Sequence, residues 1–314
     1  MARRDPLNGK LVTIVGGSGF LGDHVAQALL SRGMRVRIAS RQPHKAFRLK
    51  TLAQLGQIQF VRCDATRKDS AAAAVAGADA VVNLVGTFAG DVMETIRDSA
   101  RHIAEAAAGA GCAALVHISA IGADDASPAE YARAKAASEV AVRDAFPTAT
   151  ILRPGVLFGE DDRFVQMFAG LIARLPVLPV FAPNAELRPL FVDDAAAAVE
   201  AALADPAAHG GKIYEIAGPE SVTLLELNRR IAASQNRKRS FIAMPDALSA
   251  FFAMLPGTPM NADQWALLKR GNRPSGALPG LKELGVTPRP LGLFLDRWMT
   301  RYRKYGRFNE SIAS

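Results

Sequence analysis

Leu11-Val12-Thr13-Ile14-Val15-Gly16-Gly17-Ser18-Gly19-Phe20-Leu21-Gly22 decides the fold of this chain. A short strand of apolar and β-branched residues runs straight into a glycine turn, and a helical pattern follows. Val25, Ala26, Ala28, Leu29 and Leu30 give that helix an apolar face, and Gly33 stands where it should stop. A tight turn needs a residue tolerant of positive φ, and missing side chains let a phosphate approach the backbone at a helix N-terminus. The stretch therefore predicts a pyrophosphate cradle at Gly19, Phe20, Leu21 and Gly22, with Gly16 or Gly17 as its first glycine. Two glycine registers fit. Gly17, Gly19 and Gly22 meet the general dinucleotide fingerprint, whereas Gly16, Gly19 and Gly22 give a three-residue spacing. An ordinary strand-turn-helix corner can show the same glycines. The following strand, Met34 to Ala39, completes a βαβ unit of the size a dinucleotide site requires.

The second strand ends Ile38-Ala39-Ser40-Arg41, with no carboxylate to take a ribose 2′-hydroxyl. His44, Lys45, Arg48 and Lys50 follow. The Arg41 guanidinium suits a 2′-phosphate or the adenine face, with Ser40 hydrogen-bonding alongside. The alternative is a solvated basic helix face. NADP(H) is the preferred cofactor, with NAD(H) left open.

The same rhythm continues through the first half. Ile58 to Val61 is a strand ending at Cys63-Asp64, Ala71 to Ala76 a short helix, and Ala80 to Gly86 a buried strand. A helix from about Val92 to Ala108 precedes the strand Ala114 to Ser119. Nearly continuous apolar strands alternating with helices imply an α/β fold, a doubly wound parallel sheet of Rossmann type with a smaller C-terminal lobe. Ligands in such sheets bind at the carboxyl ends of strands, where Asp64, Gly86 and Ser119 fall. Asp64 is placed either to accept from the adenine amine or to cap the turn that follows.

Tyr131-Ala132-Arg133-Ala134-Lys135 opens the next helix. Residues four apart share a helix face, so an ammonium can sit near a phenol and lower its pKa toward neutrality. Such a phenol can give a proton to a carbonyl oxygen as hydride arrives from a nicotinamide, while the Ser119 hydroxyl holds the same oxygen. A Tyr and Lys four apart are commonplace on surfaces. The preceding glycine turn and strand-end serine move the pair to the candidate catalytic set Ser119, Tyr131 and Lys135.

With these residues the chain resembles the short-chain dehydrogenases/reductases, in their extended and atypical branches. The resemblance covers roughly residues 10 to 290 and favours the three-spaced register. It implies Tyr131 as acid/base, Lys135 holding the nicotinamide ribose, and Ser119 orienting a carbonyl. Leu152-Arg153-Pro154-Gly155-Val156-Leu157-Phe158-Gly159 looks like the loop that passes the nicotinamide, which adds Pro154 to the binding set. Phe191-Val192-Asp193-Asp194 and Ile213-Tyr214-Glu215-Ile216-Ala217-Gly218-Pro219 resemble later joints of the same fold. Within the superfamily, the chain is most similar to the NADPH-holding accessory subunit of respiratory complex I and its bacterial relatives. Val142-Arg143-Asp144-Ala145-Phe146-Pro147, Phe158-Gly159-Glu160-Asp161-Asp162-Arg163-Phe164 and Leu281-Lys282-Glu283-Leu284-Gly285-Val286-Thr287-Pro288 carry that likeness. It implies a structural nucleotide, complex I subunits as partners and a peripheral place at a membrane. Only eleven residues separate Ser119 from Tyr131, fewer than in sugar-nucleotide epimerases, which argues against epimerase chemistry.

A chain of 314 residues with 49% hydrophobic content can bury a large core. The expected organisation is a nucleotide-binding core over residues 1–160, remaining sheet elements and a substrate or partner lobe over 161–290, and a basic helix and tail over 291–314. Cys63 and Cys112 show no paired spacing, which fits reduced thiols in a cytoplasmic setting. Five scattered histidines show no metal-ligand spacing, so no metal site is expected. The start, Met1-Ala2-Arg3-Arg4, leads directly into the first strand without a cleavage site, so no signal peptide is expected. The apolar run Phe164 to Ala182 carries Arg174 and is broken by Pro176 and Pro179, and Met244 to Leu255 is too short to span a membrane. The latter reads as a lobe helix that closes the lobe core, or else faces the substrate cleft or a partner. Asp205 to Gly211 and Gly271 to Gly280 read as weak points in the organisation, the second as an exposed linker.

Near the C-terminus Leu291, Phe294, Leu295, Trp298, Met299, Tyr302 and Tyr305 form a helical stripe. Arg297, Arg301, Arg303, Lys304 and Arg307 occupy the other face, part of a net charge of +8. Such a helix suits an anionic membrane surface or an acidic partner, or docks on its own domain with a solvated basic face. No nucleic-acid reader motif is present, and nucleic acid is not an expected partner. Two functions follow. One is an accessory subunit docked on the cytoplasmic face of a bacterial inner membrane. The other is an NADP-dependent reductase of a small lipophilic carbonyl compound.

Overall fold

The structure, a computed structural model, describes residues 7–246, 249, 262–304 and 306. The expected lobe helix over 247–255, apart from Ser249, together with Tyr305, Arg307 and Met1 to Arg4, lies outside the described residues.

Seven strands form one parallel sheet in the order β11-β6-β5-β4-β1-β2-β3. They are β1 (Leu11–Val15), β2 (Arg35–Ser40), β3 (Ile58–Arg62), β4 (Ala80–Asn83), β5 (Ala114–Ile118), β6 (Thr150–Pro154) and β11 (Ile213–Ile216). The strand order reverses between β1 and β4, which opens a crevice at their carboxyl ends. Helices α1 (Phe20–Ser31) and α6 (Val192–Ala204) pack together, and α2 (Lys68–Val75), α3 (Ser99–Gly109) and α4 (Glu130–Ala145) pack side by side. Val15, Ala39, Val81 and Leu115 from the strands, with Cys63 just beyond β3, enter the core shared with α2, α3 and α4. Val12, Ile14, Val36 and Ile38 are buried as well, so both faces of the sheet are covered, as the near-continuous apolar strands require.

Local chemistry sets where elements end. The strand expected to run to Gly86 stops at Asn83, because the Asn83 side-chain oxygen takes the Val85 N–H at 3.0 Å and turns the chain. The helix expected from Val92 carries a π-helical stretch, Glu94–Asp98, before α3. Residues 43–52, read as a basic helix face, form a 3-10 helix entered through Pro43.

The chain divides into two compact units that interleave in sequence instead of following consecutive cuts near 160 and 290. The first holds Met1–Pro154, Val192–Ile216 and Pro274–Thr287; the second holds Gly155–Phe191, Ala217–Arg273 and Pro288–Ser314. The chain returns to the first unit because β11 must pair with β6 to complete the sheet edge. The expected linker at Gly271 to Gly280 is tied down on both sides of the crossing. In the second unit Asn272 Oδ1 accepts the Val156 N–H at 2.7 Å, and in the first Ser275 donates its N–H and its hydroxyl to Glu215. The other expected weak point is ordered by Asp205, whose carboxylate caps the short helix α7 (Pro206–His209).

In the second unit, β7 (Leu157–Phe158) pairs in parallel with β10 (Leu190–Phe191), and β8 (Val177–Val180) with β13 (Ser240–Ala243). Strands β9 (Glu186–Leu187) and β12 (Val222–Thr223) pair antiparallel, and α5 (Phe164–Arg174) packs on α8 (Leu224–Ser234). The C-terminal helix spans Gly292–Met299. Leu291, Leu295, Trp298 and Met299 are buried, and Phe294 stacks on Phe191 and on Trp298. Arg301 and Arg303 donate to the backbone carbonyls of Glu160 and Ser234. Of the readings for this helix, docking on its own unit is the observed one. Arg297 and Leu293 remain exposed.

Candidate nucleotide site

The glycine turn resolves its own register. Gly16 adopts φ +81°, the left-handed conformation, whereas Gly17 does not. A Cβ on Gly22 would lie 2.6 Å from the Gly17 carbonyl oxygen, so only glycine lets α1 start this close to the turn. Gly19 differs. The nearest protein atom to a Cβ there is the Gly16 carbonyl oxygen at 3.4 Å, so the space in front of it is not needed for packing. Gly19 is also the N-cap of α1 and offers no side-chain acceptor to the first N–H groups of the helix. Phe20 and Leu21 occupy the first turn of α1, half-buried. Backbone donors, a helix N-terminus and an unfilled approach are what an anionic pyrophosphate requires.

Ser40 ends β2 beside this turn. It is buried, and its hydroxyl oxygen has no hydrogen-bond partner. A buried hydroxyl without a partner costs free energy, and a ribose or 2′-phosphate oxygen at this strand end would satisfy it. Arg41 follows, exposed. Arg48 reaches back from the 3-10 helix to pair with Asp23 in α1. Asp64 acts as a turn cap, its Oδ1 accepting from the Thr66 N–H at 3.2 Å and the Thr66 hydroxyl at 2.9 Å. These residues fit a dinucleotide.

At the far end of the crevice, Lys135 is buried in α4, its Nζ donating to the Ile118 carbonyl at 2.8 Å and the Val85 carbonyl at 3.2 Å. Gly86 faces it, with a Cβ position 3.6 Å from that nitrogen. The ammonium lies 5.8 Å from the centre of the Tyr131 ring. Burial pulls Lys135 down to about 8, against the opposing charge of Glu139. Burial also pushes the Tyr131 phenol up to about 12. That corrects the expectation of a phenol tuned toward neutrality, because desolvation of the phenolate outweighs the ammonium. Pro154 ends β6, its carbonyl accepting from the Ile121 N–H.

Ser119 stands at the end of β5 as expected, but its hydroxyl donates to the buried carboxylate of Glu139. The structure brings Tyr131 and Lys135 together and turns the Ser119 hydroxyl away into a salt-bridge network. Arg153 clasps Glu139 with two bonds of 2.8 and 2.7 Å, and Glu215 sits 3.8 Å from the same guanidinium. A second buried chain fixes α4 on the sheet. The Asn83 amide donates to His117 Nδ1 at 3.0 Å, His117 Nε2 meets the Ser138 hydroxyl at 3.0 Å, and that hydroxyl donates to the Lys135 carbonyl at 2.7 Å. Burial and the charge of Lys135 hold the His117 imidazole well below its ordinary range, so it stays neutral. Sequence reasoning missed Asn83, His117, Ser138, Glu139 and Glu215. Glu139 had a signal, since it lies four residues beyond Lys135 on the same helix face.

Among the described residues no group of three or more His, Cys, Asp or Glu is placed to hold a metal, and no helix is long and apolar enough to cross a membrane. Cys63 and Cys112 are buried free thiols.

Comparison with known proteins bears on the fold and on the nucleotide-binding domain. A family model described as NAD(P)H-binding matches residues 16–169. The NADH dehydrogenase [ubiquinone] 1 alpha subcomplex subunit 9 of Arabidopsis thaliana is 30% identical over 99% of this chain and 82% of its own length. A ceramide reductase of Caulobacter vibrioides is 31% identical over 75% of this chain and 74% of its own. Among solved structures, a nucleoside-diphosphate-sugar epimerase of Staphylococcus aureus superposes with a TM-score of 0.73 at 18% identity, over 91% of this chain and 99% of that one. An NADPH complex of a quinone oxidoreductase from Escherichia coli superposes with a TM-score of 0.71 at 22% identity, over 92% and 99%. Those two show the shared fold. The near-full-length likeness to the complex I subunits goes further: this chain belongs to the family of the NADH dehydrogenase alpha subcomplex subunit 9 proteins, with an NAD(P)H-binding domain of Rossmann type.

Proposed function

We propose that this chain is a nucleotide-holding accessory subunit of respiratory complex I, placed peripherally on the cytoplasmic face of a bacterial inner membrane. The backbone of Gly16, Gly19, Phe20, Leu21 and Gly22 would hold the pyrophosphate. Ser40 and Arg41 would hold a 2′-phosphate, which favours NADP(H) over NAD(H), and Asp64 borders the adenine end. Gly86, Tyr131, Lys135 and Pro154 would border the nicotinamide. A reduced nicotinamide supplies hydride when bound, but the protein groups around that end serve holding better than turnover. The observation that carries this reading is the Ser119 hydroxyl. It is committed to Glu139, so a carbonyl substrate would lack that donor. A ligand that binds only the folded state stabilises it by mass action, and that is the role assigned to the nucleotide.

The ceramide reductase relative and the Tyr131–Lys135 pair favour a second reading, an NADP-dependent reductase of a lipophilic carbonyl compound. In that reading Tyr131 gives its proton to the carbonyl oxygen as hydride reaches the carbon. One experiment separates the two. Membranes from the source cell are mildly solubilised and resolved by native electrophoresis, with the wild type and Tyr131→Phe followed side by side. Migration of both with the large NADH-oxidising band supports the subunit. Migration as a small free species, with carbonyl turnover lost in Tyr131→Phe, supports the enzyme.

A further inference from the structure

Phe88 has no role in the nucleotide site described above. It sits at the tip of the loop between β4 and the π-helical stretch, and nearly half of it is exposed. Its ring nevertheless stacks on Tyr131, with centroids 4.2 Å apart and planes inclined by 20°. The loop is shaped locally. The Thr87 hydroxyl donates to the Ala89 carbonyl and accepts the Ala89 N–H, each at 3.0 Å. Gly86 precedes it, and Gly90 follows with φ +76°. The Tyr131 ring also packs against the buried apolar cluster of Val92, Ile96 and Ala134, and the Lys135 ammonium lies 5.8 Å from its centre.

We propose that Phe88 is a gate over Tyr131, a side chain that covers the phenol and keeps carbonyl compounds from reaching it while a nucleotide is held. This rests on the nucleotide-holding reading and deepens it, since it names what keeps a bound dihydronicotinamide from being used. The raised pKa of the phenol is consistent with such cover. An aromatic stack of this geometry shifts an equilibrium by roughly two- to tenfold, so the gate is closed most of the time and can open. The compounds best able to displace Phe88 are planar aromatic carbonyls, because a flat ring restores the stack it removes. When such a compound enters, Tyr131 gives its phenolic proton to the carbonyl oxygen. A dihydronicotinamide held beside Gly86, Lys135 and Pro154 would supply the hydride to the carbonyl carbon, so that the products would be an alcohol and the oxidised nucleotide.

The test compares the full-length wild type, Phe88→Ala, Phe88→Leu and Phe88→Ala/Tyr131→Phe. The first readout is alkaline ultraviolet titration of tyrosine without nucleotide, in which the double variant identifies the Tyr131 signal. The second is NADPH oxidation with 9,10-phenanthrenequinone as the probe, and the third is NADPH affinity by fluorescence. The gate requires the Tyr131 phenol to ionise about one pH unit lower in Phe88→Ala. It also requires NADPH oxidation at least tenfold above the wild type, with affinity changed less than twofold and Phe88→Leu between the two. A titration that does not move overturns the cover. A moved titration without faster oxidation overturns Phe88 as the barrier to reaction, and so does a wild type that already oxidises NADPH as fast as the variant. Absence of NADPH binding in every form contradicts the nucleotide-holding reading instead, and the titration still decides whether Phe88 covers the phenol.

Discussion

The two ends of the nucleotide crevice are built in opposite ways. At the glycine turn the protein withholds its own groups: Gly19 fills nothing, the N-cap of α1 has no side chain to offer, and the Ser40 hydroxyl is buried without a partner. At the Tyr131 end the protein supplies partners for itself: Ser119 donates to Glu139, Lys135 to two backbone carbonyls, and Phe88 lies on the phenol. One end is incomplete without a ligand and the other is nearly complete without a substrate. The contrast is what the proposed retention of a nucleotide requires.

The largest effect should come from the self-satisfied end. Glu139→Ala leaves the partly buried Arg153 guanidinium with Glu215 as its remaining carboxylate, 3.8 Å away. Losing the buried partner of such a pair costs up to about 3 kcal/mol where the other charge keeps some contact with water, which urea denaturation will read as a lowered midpoint. A small loss there would mean that the network is loosely held and the contrast overstated. Gly19→Val should act at the other end with the opposite signature. Its Cβ meets little protein, so stability without ligand should change by less than about 1 kcal/mol. NADPH affinity should fall about 100-fold, or about 2.7 kcal/mol, in a fluorescence titration. Equal losses of folding and binding would show that the space before Gly19 is packing space.

These two positions also show what the sequence could reveal. The glycine turn was legible because a tight turn has few chemical solutions, and Gly16, Gly19 and Gly22 are spaced by the geometry itself. The alternation of strands and helices gave the parallel sheet for the same reason. Tyr131 and Lys135 were legible by helical spacing. The direction of the Ser119 hydroxyl was not, because it depends on Glu139 and Arg153, brought in from α4 and β6. Nor was the phenol's environment, since Phe88 arrives from a loop more than forty residues upstream. The interleaving of the two units depends on β11 returning to β6, and strand order is not written in local pattern.

A smaller effect lies in pH. Lys135 titrates near 8 in the folded chain against an ordinary value of 10.5. Between those values the unfolded chain binds more protons, so stability should rise with pH, by about 1–2 kcal/mol from pH 7.5 to 9.5. Lys135→Met should remove that rise. The Tyr131 phenol, held near 12, has the opposite sign and takes stability away above pH 10. Denaturation midpoints of wild type and variant at the two pH values check this, and an unchanged slope in Lys135→Met would place the titrating group elsewhere. The smallest expected change is at Arg41, which is exposed. Arg41→Ala should reduce the preference for NADPH over NADH about fivefold, or about 1 kcal/mol, without moving the urea midpoint.

The most direct measurement is thermal unfolding of wild type, Tyr131→Phe and Gly19→Val with rising NADPH. If the nucleotide is held as part of the fold, the midpoint climbs equally in wild type and Tyr131→Phe, by about 2.7 kcal/mol of added stability at a hundred times the wild-type dissociation constant, and by only about 0.4 kcal/mol in Gly19→Val at the same concentration. A wild-type midpoint that does not respond, or a response in Gly19→Val as large as in the wild type, would contradict it.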